Sequence, residues 1–111
     1  MKRTLVIGDI HGGLKALQQV LKRAEVTPDD RLIFLGDYVD GWSDSANVVN
    51  YLIDLAKQNS CTFIRGNHDD LVHNWLETED INSTWLEHGG QVTLDAYRKL
   101  SKTEKEQHRN F

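Results

Sequence analysis

The chain has 111 residues, a net charge of −4, 39% hydrophobic residues and 27% charged residues, a composition typical of one globular domain over residues 1–111. Its mild acidity, without a basic cluster, argues against a surface for nucleic acid or anionic membranes. The apolar run near the start breaks at Gly8 and the only cysteine is Cys61, so we expect a cytoplasmic protein with no secretion signal, no membrane span and an inert thiol.

Three short apolar runs, TLVI, RLIFL and CTFI, alternate with longer stretches whose apolar residues recur at helical spacing. The glycines that follow these runs, Gly8, Gly36 and Gly66, are 28 and 30 residues apart, about the length of a βαβ unit. The pattern predicts an α/β fold in which parallel strands are joined by βαβ crossovers. Continuous apolar strands further predict that both faces of this sheet are buried.

The two stretches between the runs predict amphipathic helices. The first has apolar residues on one face at Leu14, Leu17, Leu21 and Ala24. The second has Ser43 or Asp44 as its N-cap. Its inward face is formed by Val48, Val49, Leu52, Ile53 and Ala56.

Beyond the third run the pattern predicts only helices. Asp69 or Asp70 is suited to cap a third helix, and a Gly-Gly break in TWLEHGGQVTLDAYRKL precedes a further one. Ser101 and Glu104 form a capping signature that opens a last helix. Because the chain stops about two turns later without a return to the sheet, we expect it to be part of a longer protein.

Polar residues follow each predicted strand, in LVIGDIHGG, LIFLGDYVDG and TFIRGNHDD. The carboxyl ends of parallel strands converge on one edge of an open sheet, where such folds bind ligands. We therefore expect one polar cluster that contains Asp9, His11, Asp37, Asp40, Asn67 and His68.

Crowded carboxylates repel one another, and a bound cation removes that cost. Asp9 and His11 are two residues apart, so in an extended segment they face the same side and can hold one metal ion. A second ion can sit on Asn67, with Asp37 bridging both. Such mixed ligands favour Mn, Fe or Zn, with Mg or Ni as further candidates. Metal pairs of this kind lie roughly 3.5–4 Å apart and serve in-line displacement at phosphorus by a metal-bound hydroxide.

The remaining polar residues of the cluster suggest proton transfer and phosphate binding. His68 points away from Asn67 in an extended chain, which suits a general acid for the leaving oxygen. Asp40 can hold the imidazole of His68 in the required tautomer. Arg65 is suited to bidentate phosphate binding.

The segments GDIHG, GDYVDG and RGNHD resemble the successive GDxHG, GDxxDRG and GNH(E/D) motifs of the calcineurin-like metallophosphoesterases. The likeness is to their phosphoprotein phosphatase branch, which includes bacterial serine/threonine phosphatases and symmetrical dinucleoside tetraphosphatases. Trp85, Gly89, Gly90 and Tyr97 are similar to the W…GG…TL..Y stretch of bacterial members. The resemblance implies an αββα sandwich, of which this chain would be the N-terminal half.

The resemblance implies metal-dependent hydrolysis of phosphate esters with two divalent metal ions. The substrate would be a phosphomonoester or phosphoprotein, or alternatively a dinucleoside polyphosphate. The implied roles are first-metal ligands for Asp9 and His11, a bridge for Asp37, a second-metal ligand for Asn67, and an acid dyad for His68 and Asp40.

Two departures from the family pattern bear on activity. Asp40 is followed by Gly41 and Trp42 in place of Arg-Gly, so either Arg65 has a larger part in phosphate binding or the substrate differs. The later histidines that complete the metal shell, in GH and GHxH contexts, have no match in this chain. The histidines that do not match them are His73, His88 and His108. We therefore expect an incomplete dinuclear site and a chain that is weak in metal affinity or inactive.

Other interpretations of these residues stay open. Asp9, Asp37 and Asn67 can be turn formers or N-caps, and Asp40 with His68 can be a structural pair. Glycine loops can also bind phosphate, although GxGxxG and GxxxxGK[ST] patterns are absent.

For the other side chains, Arg65 can form a surface salt bridge, and His73 and His88 are interpreted as surface or loop residues. Trp42, beside the cluster, is a candidate wall for the substrate. A rival hypothesis is a non-catalytic metal-binding or interaction module that pairs through its open sheet edge.

Overall fold

The computed structural model describes residues 3–111, so the first two residues of the expected domain lie outside the described residues. The strands are β1 (Thr4–Ile7), β2 (Arg31–Phe34) and β3 (Ser60–Phe63). The helices are α1 (Leu14–Arg23), α2 (Ser45–Leu55), α3 (Asn67–Thr78), α4 (Ser83–Trp85), α5 (Gln91–Arg98) and α6 (Lys102–Arg109). A π-helical turn, Leu86–Gly90, joins α4 to α5.

The three strands form one parallel sheet in the order β1-β2-β3. Val6 lies opposite Ile33, and Ile33 lies opposite Thr62, so the strands are in register and end at the same edge. This confirms the predicted parallel strands with βαβ crossovers. The shared edge is what brings the three following loops together.

One face of the sheet carries the core. Leu32 and Phe34 of β2 are fully buried, and they pack with Leu17 of α1 and Leu52 of α2. Because consecutive crossovers of one hand place their helices on the same side, α1 and α2 both cover this face.

The opposite face of the sheet is not covered by the described residues, so the predicted burial of both faces is wrong for residues 3–111. Exposure alternates along β1 and β3, and Val6 on the open face is 60% exposed. Apolar residues at consecutive strand positions show that a strand is suited to burial, but a packing partner must exist for burial to occur.

The helix predictions hold with local corrections. Asp44 is the N-cap of α2, and Val48 and Leu52 of the predicted face are buried. Ala56 is exposed, because α2 ends at Leu55 and Ala56 is already its C-cap. The N-cap of α3 is Gly66 and not Asp69 or Asp70, but Asp69 does take part in capping, because its carboxylate accepts from the Gly66 N–H at 2.9 Å.

The last helix begins as predicted, with Ser101 Oγ accepting a hydrogen bond from the Glu104 N–H at 3.2 Å.

His108 of α6 is buried between the Tyr97 hydroxyl at 2.7 Å and the Asn50 amide oxygen at 2.6 Å. Both ring nitrogens of His108 are thus occupied by protein partners, so the side chain joins helices and is not placed to bind a metal. Burial lowers the pKa of His108. None of the helices within residues 3–111 combines the length and the apolar character needed to cross a bilayer.

An ion pair between Arg3 and Asp30 lies at the edge of the sheet where β1 and β2 begin. Arg3 Nη2 and Nε donate to the two carboxylate oxygens of Asp30 at 2.8 and 3.0 Å, and the Thr27 N–H donates to Asp30 Oδ2 at 2.9 Å. The hydrogen bond from Arg3, followed by the one from Thr27, lowers the pKa of Asp30 to about 2.

We predict that Asp30→Asn lowers the free energy of unfolding at pH 7. The stabilisation by ionised Asp30 is fully present above its unfolded-state pKa of about 4 and is lost as the pH falls through its folded pKa of about 2. Urea unfolding from pH 7 downward should therefore show the variant and wild-type curves converging below about pH 4. Asp29→Asn, at an exposed neighbour, is the control. A deficit that is constant with pH would contradict the prediction.

Candidate active site

Hydrogen bonds between backbone groups join the loops that follow β1 and β2. The N–H groups of Ile10 and His11 both donate to the Asp37 carbonyl, at 3.0 and 2.8 Å, and the Gly12 N–H donates to the Tyr38 carbonyl at 2.8 Å. The two loops therefore hold one another at a fixed separation.

Asp9, His11 and Asp37 form the cluster expected of a cation site. One ligand atom from each lies within 4.8 Å of the other two. His11 Nδ1 is 3.0 Å from the Val39 carbonyl, which only accepts, so Nδ1 carries the hydrogen. In the neutral ring the lone pair is therefore on Nε2, which is 3.6 Å from Asp9 Oδ2. This donor set fits a divalent transition metal.

The route to this cluster differs from the predicted one. His11 has φ 47°, Asp37 φ 55° and Asp40 φ 70°, all in the left-handed region that non-glycine residues rarely adopt. Asp9 lies past the end of β1 without regular structure, and His11 opens the turn that follows, so the segment that presents these two side chains is not extended as far as His11. Backbone of this kind concentrates at functional sites.

Asp69 holds the loops after β2 and β3 in place. Its carboxylate accepts from the N–H groups of Asp37 at 2.6 Å, Tyr38 at 2.8 Å and Gly66 at 2.9 Å. Burial raises the pKa of Asp69, while these backbone donors oppose the rise. The sequence predicts only a capping role for Asp69, and the bonds to Asp37 and Tyr38 are additional to it. Its position three residues after Gly66 is the spacing at which a side chain reaches back to the N-cap, and that signal was present.

Asn67 and His68 are the first two residues of α3, so they do not lie on opposite sides of an extended chain, and that expectation is wrong. Asp37 Oδ1 accepts from the His68 N–H at 3.0 Å. The start of α3 is thereby anchored on the carboxylate of Asp37. Asn67 lies exposed beside it, and its part in a second metal site stays a prediction.

The His68 and Asp40 side chains are hydrogen-bonded, with Nδ1 2.8 Å from Oδ2. Asp40 is completely buried. The His68 ring lies edge-on to the His11 ring, with 5.0 Å between centroids. The structure thus places an imidazole with a carboxylate partner directly beside the cation cluster.

The sequence did not indicate which groups surround Asp40. Trp85 Nε1 donates to Asp40 Oδ2 at 2.7 Å, and Thr93 Oγ1 donates to Asp40 Oδ1 at 2.5 Å. In the sequence, Trp85 stands out only through the family resemblance. No local pattern at Thr93 indicates this contact.

The remaining candidates lie around or away from the cluster. Arg65 is half exposed and 3.3 Å from Asp70 in a surface ion pair. The Trp42 side chain is 71% exposed beside the first loop, and the Trp42 backbone N–H donates to the His11 carbonyl at 2.9 Å. His73 Nε2 lies 3.6 Å from Glu77, and His88 is exposed in the kinked π-helical turn.

The alternative that Asp9, Asp37 and Asn67 are helix caps does not hold. The N-caps of α1, α2 and α3 are Gly13, Asp44 and Gly66. The cysteine is half-buried, and burial raises the pKa of the Cys61 thiol, which disfavours the reactive thiolate.

Comparison with known proteins identifies relatives of the chain. The profile of the family described as calcineurin-like phosphoesterase matches residues 2–110. Serine/threonine-protein phosphatase 2 of Escherichia coli is 36% identical over 91 residues, which are 81% of this chain and 39% of that protein. The asymmetrical bis(5'-nucleosyl)-tetraphosphatase PrpE of Oceanobacillus iheyensis is 28% identical over 106 residues, 87% of this chain and 41% of that protein. The chain thus spans about two fifths of the length of these relatives.

Solved structures share the fold. A metallophosphoesterase from Sphaerobacter thermophilus matches with a TM-score of 0.64 at 20% identity, over 97% of this chain and 40% of that one. A protein serine/threonine phosphatase from Saccharomyces cerevisiae matches with a TM-score of 0.59 at 18% identity, over 98% of this chain and 34% of that one. The predicted α/β metallophosphoesterase fold is confirmed.

We predict that Gly66→Ala weakens divalent metal binding, because a Cβ at Gly66 would overlap the carboxylate of Asp37. Displacing a group that orients a metal ligand costs about ten- to a hundredfold in affinity. Titration calorimetry with Mn²⁺ or Zn²⁺ measures the effect. Gly8→Ala is the matched control, because a Cβ there meets nothing within 4 Å. Equal affinities for the two variants would contradict the prediction.

Proposed function

Because the chain belongs to the calcineurin-like phosphoesterase family, we propose that it carries part of the catalytic apparatus for metal-dependent hydrolysis of phosphate esters. The observation that supports this most directly is the Asp9, His11 and Asp37 cluster within 4.8 Å, with the hydrogen-bonded pair of His68 and Asp40 beside it. A cation site with a proton donor beside it supplies the two kinds of group that metal-dependent cleavage of phosphate esters uses.

Asp9, His11 and Asp37 would hold one divalent ion, and Asp37 with Asn67 would hold a second. Bound ions supply charge neutralisation for the phosphate and activation of water. The mixture of imidazole, carboxylate and amide favours Mn, Fe or Zn, with Mg and Ni as further candidates. His11 contributes through Nε2 because Nδ1 is engaged by the Val39 carbonyl.

His68 acts as the general acid. A water oxygen bonds to phosphorus and releases a proton to solvent as the ester P–O bond breaks. The leaving oxygen takes the Nε2 proton of doubly protonated His68 and departs as the alcohol, and Nε2 then regains a proton from solvent. Asp40 accepts the Nδ1 hydrogen at 2.8 Å, which keeps Nε2 as the nitrogen that transfers the proton.

Arg65 binds the phosphate in this proposal, taking over from the arginine that Gly41 replaces. Its ion pair with Asp70 joins two exposed side chains, and exposed pairs of this kind contribute only about 0–1 kcal/mol. Arg65 can therefore leave Asp70 and bind a phosphate oxygen at a small cost in free energy. We further propose a cytoplasmic protein acting on a phosphomonoester or phosphoprotein.

A dinucleoside polyphosphate is the second candidate substrate, and Trp42 is the observation that favours it. An indole that is 71% exposed beside a phosphate site offers a flat surface for a nucleobase. Stacking of a base on an aromatic side chain contributes about 1–3 kcal/mol.

We predict that Asp37→Asn weakens metal binding at least about tenfold, because the variant loses a carboxylate ligand. Metal content, calorimetry and turnover of an aryl phosphate should be measured on the purified chain. Asp54→Asn, which alters an exposed carboxylate on α2, is the control. Turnover that disappears only in Asp37→Asn supports the enzyme, whereas metal binding without turnover in the wild type favours the non-catalytic module or an incomplete part of the enzyme.

We predict that Trp42→Ala weakens binding of diadenosine tetraphosphate about tenfold, through lost stacking, and leaves binding of inorganic phosphate unchanged. Competition binding with the two ligands measures both constants. Trp42→Phe, which keeps an aromatic face, should retain most of the affinity. An equal loss for both ligands would show that Trp42 shapes the loop and does not contact a base.

A further inference from the structure

Asp40 is a carboxylate with no contact to water. It is 0% exposed, and within residues 3–111 its one ion-pair partner is His68. A buried carboxylate is costly unless hydrogen bonds replace its hydration. Its surroundings must therefore supply donors.

Trp85 and Thr93 supply these donors. Thr93 Oγ1 donates to Asp40 Oδ1 at 2.5 Å, and Trp85 Nε1 donates to Oδ2 at 2.7 Å. The same Oδ2 is 2.8 Å from His68 Nδ1. An indole N–H can only donate, so the Trp85 hydrogen points at Oδ2. With a donor on each oxygen, the carboxylate is left to accept from His68, and the hydrogen of the neutral imidazole resides on Nδ1.

The segment that carries these donors, residues 85–93, packs closely against the Asp40-Gly41 turn. Gly89 has φ 99°, and a Cβ there would meet the Gly41 N at 2.8 Å. The Gly41 N–H donates to the Gly89 carbonyl at 3.3 Å. Gly90 lies against the Trp85 indole, where a Cβ would overlap the ring. Both members of the Gly-Gly pair thus allow close approach, one to the Asp40-Gly41 turn and the other to Trp85.

We propose that Trp85 and Thr93 are positioning residues that act on His68 through Asp40. By donating to both oxygens of Asp40, they set the orientation of the carboxylate and hold the neutral ring of His68 in the Nδ1–H tautomer, so that Nε2 is the nitrogen that takes up the transferable proton. The catalytic meaning of this arrangement rests on the proposed function. The assignment of the tautomer does not depend on the proposed function.

Long-range ¹H–¹⁵N spectra of the histidine side chains at about pH 8, where imidazole is neutral, report the tautomer, and His68→Gln identifies the signals of His68. In the wild type we expect Nδ1–H to dominate. In Trp85→Phe and Thr93→Val, which remove one donor each, the Nε2–H form should gain population several-fold. Thr93→Ser should restore the wild-type spectrum, because it keeps the hydroxyl.

Trp75→Phe is the matched control, because Trp75 is also buried and packs 6.1 Å from the Trp85 ring without a bond to Asp40. It should leave the tautomer unchanged. Where the wild type turns over an aryl phosphate, kcat should fall about tenfold in Trp85→Phe and Thr93→Val with KM unchanged.

An unchanged tautomer in folded Thr93→Val would overturn the proposal, as would an equal change in Trp75→Phe. The Thr93→Val and Thr93→Ser pair decides the question even if Trp85→Phe does not fold. A wild type without turnover would count against the proposed function alone, because the spectra require no substrate.

Discussion

The site depends on Asp37, the residue that joins all three loops. Its carbonyl accepts from Ile10 and His11, its N–H donates to Asp69, and its Oδ1 accepts from the His68 N–H. These bonds hold Asp37 at φ 55°. A non-glycine residue pays about 1–3 kcal/mol for such a conformation, which hydrogen bonds of about 1 kcal/mol each can offset together.

Around this residue the structure separates two carboxylate environments. Asp9 faces water with 61% of its side chain exposed, which suits exchange of a cation with solvent. Asp40 is sealed from water and surrounded by donors, which suits a fixed hydrogen bond to an imidazole. The rings of His11 and His68 lie 5.0 Å apart, so the two environments adjoin. Cation binding and proton transfer can thus take place at neighbouring groups without sharing a carboxylate.

Much of the fold was predictable because its signals are local. Each apolar run ended near a glycine, and the βαβ spacing was enough to predict parallel strands. The predictions that were wrong or incomplete concern features that depend on contact with another element of the fold. Val6 lies in an apolar strand, yet it is 60% exposed because no described element covers it. Asp69 caps the start of α3 as its spacing from Gly66 allows, but its carboxylate also accepts from the N–H groups of Asp37 and Tyr38, and no helical pattern specifies those two contacts.

By itself the sequence determined which chemical groups stand at the strand ends, since strand topology requires the residues after parallel strands to share an edge. It therefore sufficed to predict that Asp9, His11 and Asp37 meet. Only the tertiary structure decided how Asp40 is held, because its donors, Trp85 and Thr93, lie 45 and 53 residues away along the chain. The burial of a carboxylate and the direction of the bonds it accepts depend on atoms that only folding brings together.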